Sequence, residues 1–245
     1  MILGLENLNS LTYATKGSKK PTQWLPLERG MSVCFAQEIT PLMDKPFSQA
    51  CANNQGVISD ILQRVFADKL KALEIGSGTG QHGVFFAQQL PHLSWQMSDK
   101  VQNHVGINQW INDDPAANLL APLALDVLSD AWPSDHYDAI YTANTAHIMP
   151  WNAVSAMFAG IGDLLLLGGV FCLYGPMKYL GVLDAQSNIA FDSRLRQQFA
   201  HQGIREFHDI NQLALDAGLV LREDNPMPAN NRLIVWQKTD MDRSL

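Results

Sequence analysis

Cysteine is scarce in this chain, and so are positive charge and long apolar runs. The three cysteines, Cys34, Cys51 and Cys172, are widely spaced and form no C-x-x-C pair. The sequence therefore predicts reduced thiols and no zinc site. Seventeen lysines and arginines are thinly spread among 24 acids, for a formal charge of −7. Because nucleic-acid binding needs a dense basic stripe, nucleic acid is not an expected partner.

No segment has the pattern of a membrane span. The longest apolar run, Leu164 to Tyr174, is split by Gly168-Gly169 and is far shorter than the ~20 residues that a span requires. The chain opens without the basic segment of a secretory signal. We therefore expect a cytoplasmic protein with no membrane partner, and the sequence leaves the oligomeric state open.

The composition is that of a globular enzyme, with 47% hydrophobic and 17% charged residues in 245. Residues 1–45 have scattered turn formers and no sustained period of 2 or 3.6. They are predicted to form a poorly ordered arm, or to precede a true translation start at Met43. Residues 46–240 are predicted to form the functional domain.

A glycine-rich segment is the most informative stretch of the chain. Residues 72–83 read Ala-Leu-Glu-Ile-Gly-Ser-Gly-Thr-Gly-Gln-His-Gly, which predicts a strand, a tight turn and a helix N-terminus. Glycines suit this turn because the backbone must adopt positive φ and approach a ligand without a Cβ. The cofactor-binding residues predicted within it are Glu74, Gly76, Ser77, Gly78 and Gly80.

Two cofactors compete for this turn. Gly78 to Gly83 also satisfies the G-x-G-x-x-G dinucleotide motif, with Asp99 about 20 residues further on for a ribose. A pyrophosphate at the helix N-terminus would be repelled by Glu74, however. S-adenosylmethionine has no phosphate, and its amino group and sulfonium are cationic, so the same acid attracts it. The pattern favours S-adenosylmethionine over NAD; a plain βα turn with a glycine packing contact is the third interpretation.

Strands and helices alternate from Asn53 onward. The alternation predicts an α/β fold with a doubly wound, mostly parallel seven-stranded sheet and a terminal antiparallel hairpin, the Rossmann-like arrangement of class I methyltransferases. A helix is predicted over Ala153–Leu167, followed by Gly168-Gly169 and a strand at Val170–Tyr174. The closing hairpin is predicted at Leu219–Arg222 and Leu233–Gln237.

Ligands of open α/β sheets bind at the carboxyl ends of the strands, and two acids lie there. Asp99 ends the second predicted strand, where a carboxylate can accept both ribose hydroxyls. Asp126 ends the third, where it can accept from an adenine amine while Val127 packs on the ring. Either acid can instead cap a helix.

The fourth predicted strand ends in a turn that contains Asn144, His147 and Trp151. In this fold the turn faces the transferred methyl group. Asn144 is predicted to orient the acceptor and His147 to take its proton, with turnover rising through a pKa near the ordinary ~6.5. Alternatively, Asn144 and His147 only hydrogen-bond the backbone of the turn.

Several further motifs accompany the glycine turn, and in combination they are specific. They are Trp95-Gln96-x-Ser98-Asp99, Asn144-x-x-His147-Ile148-x-Pro150, Tyr174-Gly175-Pro176, Ser187-Asn188-x-x-Phe191-Asp192, Gly203-Ile204-Arg205 and Met227-Pro228-Ala229-Asn230-Asn231, with Asn54 before them. From about Asn54 to Lys238 the chain resembles a small family of class I methyltransferase-like proteins found in bacteria and animals. The resemblance implies the class I fold and S-adenosylmethionine binding, without supplying a substrate. The chain departs from the family pattern at Asn53, Gln55 and Gln202.

Six loop residues are hypothesised to cap a methyl-acceptor pocket, although hydrogen bonds that tie the loops together are an alternative. The six are Asn188, Phe191, Asp192, Arg205, Asn230 and Asn231. The predicted pocket residues are Asn54, Trp151, Tyr174, Lys178, Asn188, Arg205 and Asn230. The leading interpretation is a methyltransferase acting on a small molecule, with no metal. The alternatives are a non-catalytic S-adenosylmethionine-binding module or partner subunit and, less favoured, an NAD-dependent oxidoreductase.

Overall fold

The computed structural model describes residues 44–240. Its strands are β1 (Lys71–Ile75), β2 (Ser94–Asp99), β3 (Leu119–Ala124), β4 (Tyr137–Ala143), β5 (Leu165–Gly175), β6 (Met177–Lys178), β7 (Arg205–Glu206), β8 (Leu219–Met227) and β9 (Asn231–Lys238). Seven of the strands in this part of the chain form one sheet in the order β3-β2-β1-β4-β5-β9-β8, while β6 and β7 pair separately.

The large sheet is parallel from β3 to β5 and antiparallel at its other edge. β1 pairs in parallel with both β2 and β4, whereas β9 runs antiparallel to β5 and β8. The strands that follow β1 are first added on one side of it, as β2 and β3, and then on its other side, as β4 and β5. Ligands of open α/β sheets bind at the carboxyl ends of the strands where the strand order reverses in this way. The predicted doubly wound sheet with its terminal antiparallel hairpin is confirmed.

Helices cover both faces of the sheet. They are α1 (Gln49–Val65), α2 (Gln81–Gln89), α3 (His104–Asp113), α4 (Trp151–Leu164), α5 (Gln186–Gln198) and α6 (Phe207–Asp216). Buried side chains of α1, α2 and α3 pack on one face of the sheet, and those of α4 and α6 pack on the other. Successive strand residues such as Ala72 and Leu73 point to opposite faces, so each strand contributes to both layers.

The largest buried aromatic side chains lie at the centre of these two layers. Trp95 and Tyr141 are fully buried on one face, and Phe171 and Trp236 are fully buried on the other. Burial of a large apolar side chain contributes about 1.5–3 kcal/mol. The two layers therefore hold the strand ends in fixed positions, and the loops that follow those ends form the site.

The predicted boundary between α4 and β5 is wrong by three residues. Leu165–Leu167 belong to the strand and not to the helix. The register shifts here, since Tyr137 pairs with Leu165 but Ala139 pairs with Val170. Gly168 lies within the irregularity at a φ of +76°, a conformation open to glycine. A continuous apolar run has no period that separates helix from buried strand, so the sequence placed the glycines at the end of the helix.

The stretch from Gly175 to Asn188 contains β6, which pairs with β7. The closing hairpin is also longer than predicted, because β8 extends to Met227. Within residues 44–240, no helix is long and apolar enough to cross a membrane. The predicted arm lies almost wholly outside the described residues, as do Met43 and Cys34.

Candidate cofactor and acceptor site

The turn after β1 has the conformation that its glycines allow. Gly76, Gly78 and Gly80 have φ values of +72°, +58° and +91°, a region costly for residues with a Cβ. The amides of Gly76 and Ser77 donate to the carbonyl of Ser98 at 2.9 and 3.0 Å, which ties the turn to the end of β2. A Cβ on Gly78 would meet no atom within 4 Å, so this position faces open space.

Glu74 lies beneath the turn, 2% exposed. Its Oε2 accepts from the indole Nε1 of Trp95 at 3.0 Å, and Ser77 adds a second hydrogen bond. Burial raises the pKa of Glu74 to about 7, against the opposing effect of these hydrogen bonds. Among the ion pairs of the described residues, none includes Glu74. A cation bound in the cavity would supply the positively charged partner that Glu74 lacks among the described residues.

The glycine at position 83 is explained by the close approach of α2 to the sheet. A Cβ there would lie 2.2 Å from Sδ of Met97 and 2.6 Å from Oε2 of Glu74, so any side chain would displace both. The packing of α2 against β1 and β2 thus fixes the Glu74 carboxyl group, as well as the helix N-terminus beside it.

Asp99 at the end of β2 holds the same turn from the other side. Its Oδ2 accepts from the amide of Gly78 at 2.6 Å, and its Oδ1 accepts from the amide of Lys100 at 2.7 Å and from the side chain of Asn103 at 2.8 Å. Asp99 also lines the cavity described below. Asp99 is not the N-cap of the helices that follow, which begin after Lys100 and Asn103. Its carboxylate ties the local backbone, and its place on the cavity lining is compatible with a ribose-binding role.

Asp126 and Val127 follow β3 at the same edge of the sheet. Asp126 forms an ion pair with Lys100 at 2.8 Å, and its Oδ1 accepts from the amide of Leu128 at 3.1 Å. The hydrogen bond from Lys100 lowers the pKa of Asp126 below its ordinary value. Val127 is buried, and both residues line the cavity.

The turn after β4 brings Asn144 and His147 to the same cavity. Asn144 has a left-handed backbone with φ of +58°, and its backbone N–H donates to the carbonyl of Tyr174 at 2.8 Å. His147 is 6% exposed, and its ring lies edge-on to Phe191 with centroids 5.3 Å apart. Within residues 44–240 neither side chain has a hydrogen-bond partner. The side chains of Asn144 and His147 therefore do not hydrogen-bond the backbone of the turn.

Burial lowers the pKa of His147 to about 4, and the positive charge of Arg205 adds to the shift. This corrects the expectation of a value near the ordinary 6.5 of histidine. The shifted value leaves the imidazole neutral throughout the neutral pH range, with a ring nitrogen that can accept a hydrogen bond from an acceptor.

These strand ends surround one cavity of about 820 Å³. We call its two sides the cofactor end and the acceptor end. The cofactor end contains Glu74, Gly76, Gly78, Asp99, Asp126 and Val127. The acceptor end is the lining from residues 143–153 together with Phe191 and His201. A volume of this size falls within the range of small-molecule and cofactor sites.

None of the seven predicted pocket residues lines this cavity. Asn54 accepts from Nε2 of the buried His82 at 2.7 Å, and the hydroxyl of Tyr174 interacts with Asn54 and Asn231. Asn54 and Tyr174 thus belong to a buried polar network beneath the cavity. Lys178 lies in β6.

Asn188 and Asn230 line a separate cavity of about 250 Å³. The side chain of Asn188 donates to the carbonyl of Asn230 at 3.0 Å, and the side chain of Asn230 donates to Ser187 at 3.3 Å. This is the loop-tying role that the sequence left open. Of the residues hypothesised to form a cap, Phe191 is the one that lines the large cavity.

Arg205 stabilises the turn that holds His147. Its guanidinium donates to the carbonyls of Ala146 at 2.9 Å, His201 at 2.8 Å and Met149. It also lies over the ring of Trp151 at 5.8 Å. With these backbone acceptors, Arg205 acts as a positioning residue for the turn rather than as a ligand of the acceptor.

We expect Arg205→Ala to lower the free energy of unfolding by about 2–3 kcal/mol, because partly buried carbonyls lose a charged donor. Chemical denaturation measures this change. Arg222→Ala is the control, since Arg222 has an exposed hydrogen bond to Gln237 at 2.9 Å, and its loss should change stability by less than about 0.5 kcal/mol. Equal stability of the two variants would contradict the role of Arg205.

Sequence reasoning missed several residues of the cavity. Ser48 and Cys51, at the start of α1, line it, and the side chain of Gln81 bonds both the amide and the carbonyl of Ser48. Lys100 and His201 line it as well. Lys100 was findable, because it follows the predicted ribose-binding acid. Ser48 and His201 lie far from the strand ends in sequence, so no local pattern marks them.

Residues 45–238 match the model of a family described as "Protein of unknown function (DUF938)". The chain belongs to this family. The match spans the region from about Asn54 to Lys238 in which the motifs indicated a family resemblance.

Solved structures place this member of the family among class I methyltransferases by fold. An O-methyltransferase family protein from Burkholderia thailandensis aligns with a TM-score of 0.67 at 15% identity, covering 76% of this chain and 56% of that one. An O-methyltransferase family 2 protein from Planctomyces limnophilus, in complex with apigenin, aligns with a TM-score of 0.69 at 16% identity, covering 78% and 58%. PigF with bound SAH aligns with a TM-score of 0.61 at 16% identity, covering 71% and 52%. The chain thus spans little more than half the length of these proteins.

Proposed function

We propose that this protein is an S-adenosylmethionine-dependent methyltransferase acting on a small-molecule acceptor. One observation supports the proposal above the others. A buried acid without a cationic partner in the described residues lies beneath an open glycine turn, in the same cavity as the unpartnered side chains of Asn144 and His147. A cationic cofactor would pair with the buried acid at one end of the cavity. The reactive group of an acceptor would hydrogen-bond with Asn144 and His147 at the other end.

The cofactor end fits S-adenosylmethionine better than a dinucleotide. In the described residues, Lys100 is the one lysine or arginine that lines the cavity, and it is paired with Asp126 at 2.8 Å. A pyrophosphate would therefore meet Glu74, Asp99 and Asp126 without a free basic side chain. For S-adenosylmethionine, Glu74 would attract the cationic groups, Asp99 would accept from the ribose, and Asp126 with Val127 would hold the adenine.

Bound S-adenosylmethionine supplies a methyl group on a sulfonium, which becomes a neutral thioether once the methyl carbon has bonded to the acceptor. The residues of this chain position the acceptor and take its proton. Asn144 would hydrogen-bond the acceptor, and the neutral imidazole of His147 would accept the proton released when the acceptor is methylated. Most of the rate would come from holding nucleophile and methyl group in line.

Two assays test the proposal. Isothermal titration calorimetry should detect binding of S-adenosylmethionine and no comparable binding of NAD; the opposite order would indicate an oxidoreductase. Incubation with methyl-labelled cofactor and a cell-extract metabolite pool should then transfer label to a small molecule. Cofactor binding with no transfer to any fraction would identify a non-catalytic module instead.

Cofactor affinity should rise with pH because of Glu74. The pKa of this group is about 7 in the cavity, so the carboxyl is mostly neutral at pH 5.5 and mostly ionised at pH 7.5. A cationic ligand favours the ionised form, and the dissociation constant should therefore fall about tenfold over this interval. Calorimetry at the two pH values measures the change.

Glu74→Gln is the matched control for that titration, since it preserves the hydrogen bond to Trp95 but cannot ionise. Its affinity should be weaker at pH 7.5 by about 1.5–3 kcal/mol, the contribution of a charge-assisted contact. It should also be nearly independent of pH. An identical pH profile in the two proteins would assign the titration to another group and contradict the role of Glu74.

A further inference from the structure

Within residues 44–240, the acceptor end of the cavity has no lysine, arginine, aspartate or glutamate. Its lining comes from residues 143–153, with Phe191 and His201. Ile148, Met149, Pro150 and Phe191 supply apolar surface there. The acids and the lysine that line the cavity in the described part of the chain lie at or just after the ends of β1, β2 and β3. They are Glu74, Asp99, Lys100 and Asp126.

Two charged side chains beside the acceptor end are bound elsewhere. A third, the exposed Arg194, lies over the ring of Phe191 at 5.8 Å but does not line the cavity. Arg205 donates to three backbone carbonyls. Asp192, next to Phe191, pairs with Arg196 at 2.7 Å and accepts from the amide of Ile204 at 2.6 Å. These groups fix the position of α5 and of the turn after β4, and none of them lines the cavity. Arg205 and Asp192 are therefore not available to pair with a charged ligand.

A charged acceptor would therefore lose its hydration without gaining a partner, which is unfavourable in an apolar site. A hydroxyl group suits the side chains of Asn144 and His147, which have no hydrogen-bond partner within residues 44–240. It has one proton to donate and lone pairs that accept, so it can donate to the neutral imidazole of His147 while accepting from the amide of Asn144. The edge-on ring of Phe191 beside His147 adds an aromatic wall, against which a flat ring packs favourably.

We propose that the acceptor is an uncharged, mainly apolar aromatic molecule that presents a hydroxyl group to Asn144 and His147. This proposal rests on the proposed function and specifies its substrate class.

The test uses three phenols that differ in charge: para-cresol, which is neutral, para-hydroxybenzoate, which is anionic, and tyramine, which is cationic. Each is titrated calorimetrically into the full chain saturated with S-adenosylhomocysteine, and each is then assayed for transfer of labelled methyl from S-adenosylmethionine. We expect para-cresol to bind about tenfold more tightly than either charged analogue, and to be methylated in preference to them.

Ile148→Lys tests whether the lining sets this preference. Ile148 is about half exposed, so a lysine is tolerated there, and its ammonium would reach the acceptor end. We expect this variant to bind para-hydroxybenzoate about tenfold more tightly than the unmodified protein does and tyramine more weakly. Leu167→Lys is the matched control, because Leu167 is an exposed apolar residue outside the cavity; the three affinities should not change.

The possible outcomes are distinct. Absence of binding by S-adenosylhomocysteine and S-adenosylmethionine would overturn the proposed function and this inference with it. With the cofactor bound, a charged phenol that binds at least as tightly as para-cresol would overturn the inference alone. Failure of all three to bind would do the same, as would an unchanged preference in Ile148→Lys.

Discussion

Gly78→Val should abolish measurable binding of S-adenosylmethionine, weakening it by at least about two orders of magnitude, or about 2.8 kcal/mol at ~1.4 kcal/mol per tenfold. Gly78 lines the cavity, its φ is +58°, and its Cβ position opens onto free space. A valine there would fill the volume that the cofactor needs. Calorimetry or a thermal shift with added cofactor measures the loss.

The backbone strain of that substitution needs its own control, because a β-branched residue at positive φ destabilises the fold by itself. Gly168→Val provides it. Gly168 has a φ of +76° and an equally open Cβ position, but it lies at the irregular start of β5 outside the cavity. We expect both variants to melt at lower temperature than the unmodified protein, while Gly168→Val keeps full cofactor affinity. Loss of binding in both variants would show that strain and not occlusion is the cause.

His147→Ala should reduce turnover by about 10²–10⁴-fold while leaving cofactor affinity nearly unchanged. The expectation follows from a side chain that is almost fully buried, free of hydrogen bonds to residues 44–240, and exposed to the cavity beside Asn144. Asn144→Ala should raise the KM of the acceptor as well as lower kcat, since an orienting amide acts in both ground and transition states. Single-turnover assays at saturating cofactor separate these effects.

The pH profile gives an independent check on the same histidine. With a pKa of about 4, His147 loses its function as a base only when the pH falls toward that value. At saturating cofactor, kcat should therefore be flat from about pH 5.5 to 8 as far as His147 is concerned, with no step near 6.5. If His147→Ala retains most activity and the rate follows the acceptor's own pKa, His147 serves only to stabilise the turn.

The features of the fold and of the site that could be predicted from sequence are those encoded by residues close together in the chain. The glycine turn combines strand, acid and three alternate glycines within a few residues, and positive φ at Gly76, Gly78 and Gly80 is a property of the residues themselves. The order of strands and helices was equally accessible, because apolar periodicity is local. The family motifs of the turn after β4 pointed to Asn144 and His147, and the fold placed both at the cavity.

Other features were decided by contacts between distant segments. The sequence alone determined the class of the fold, the glycine turn and the acid beneath it. Only the tertiary structure decided that Arg205 binds carbonyls of the turn after β4 and not a ligand, that Asn188 and Asn230 tie two loops together, and that Ser48 and His201 reach the cavity. It also set the pKa of His147, because burial and the approach of Arg205 depend on packing across the whole chain. Local pattern specifies backbone conformation, whereas the partner and the charge state of a side chain depend on which remote residues the fold brings beside it.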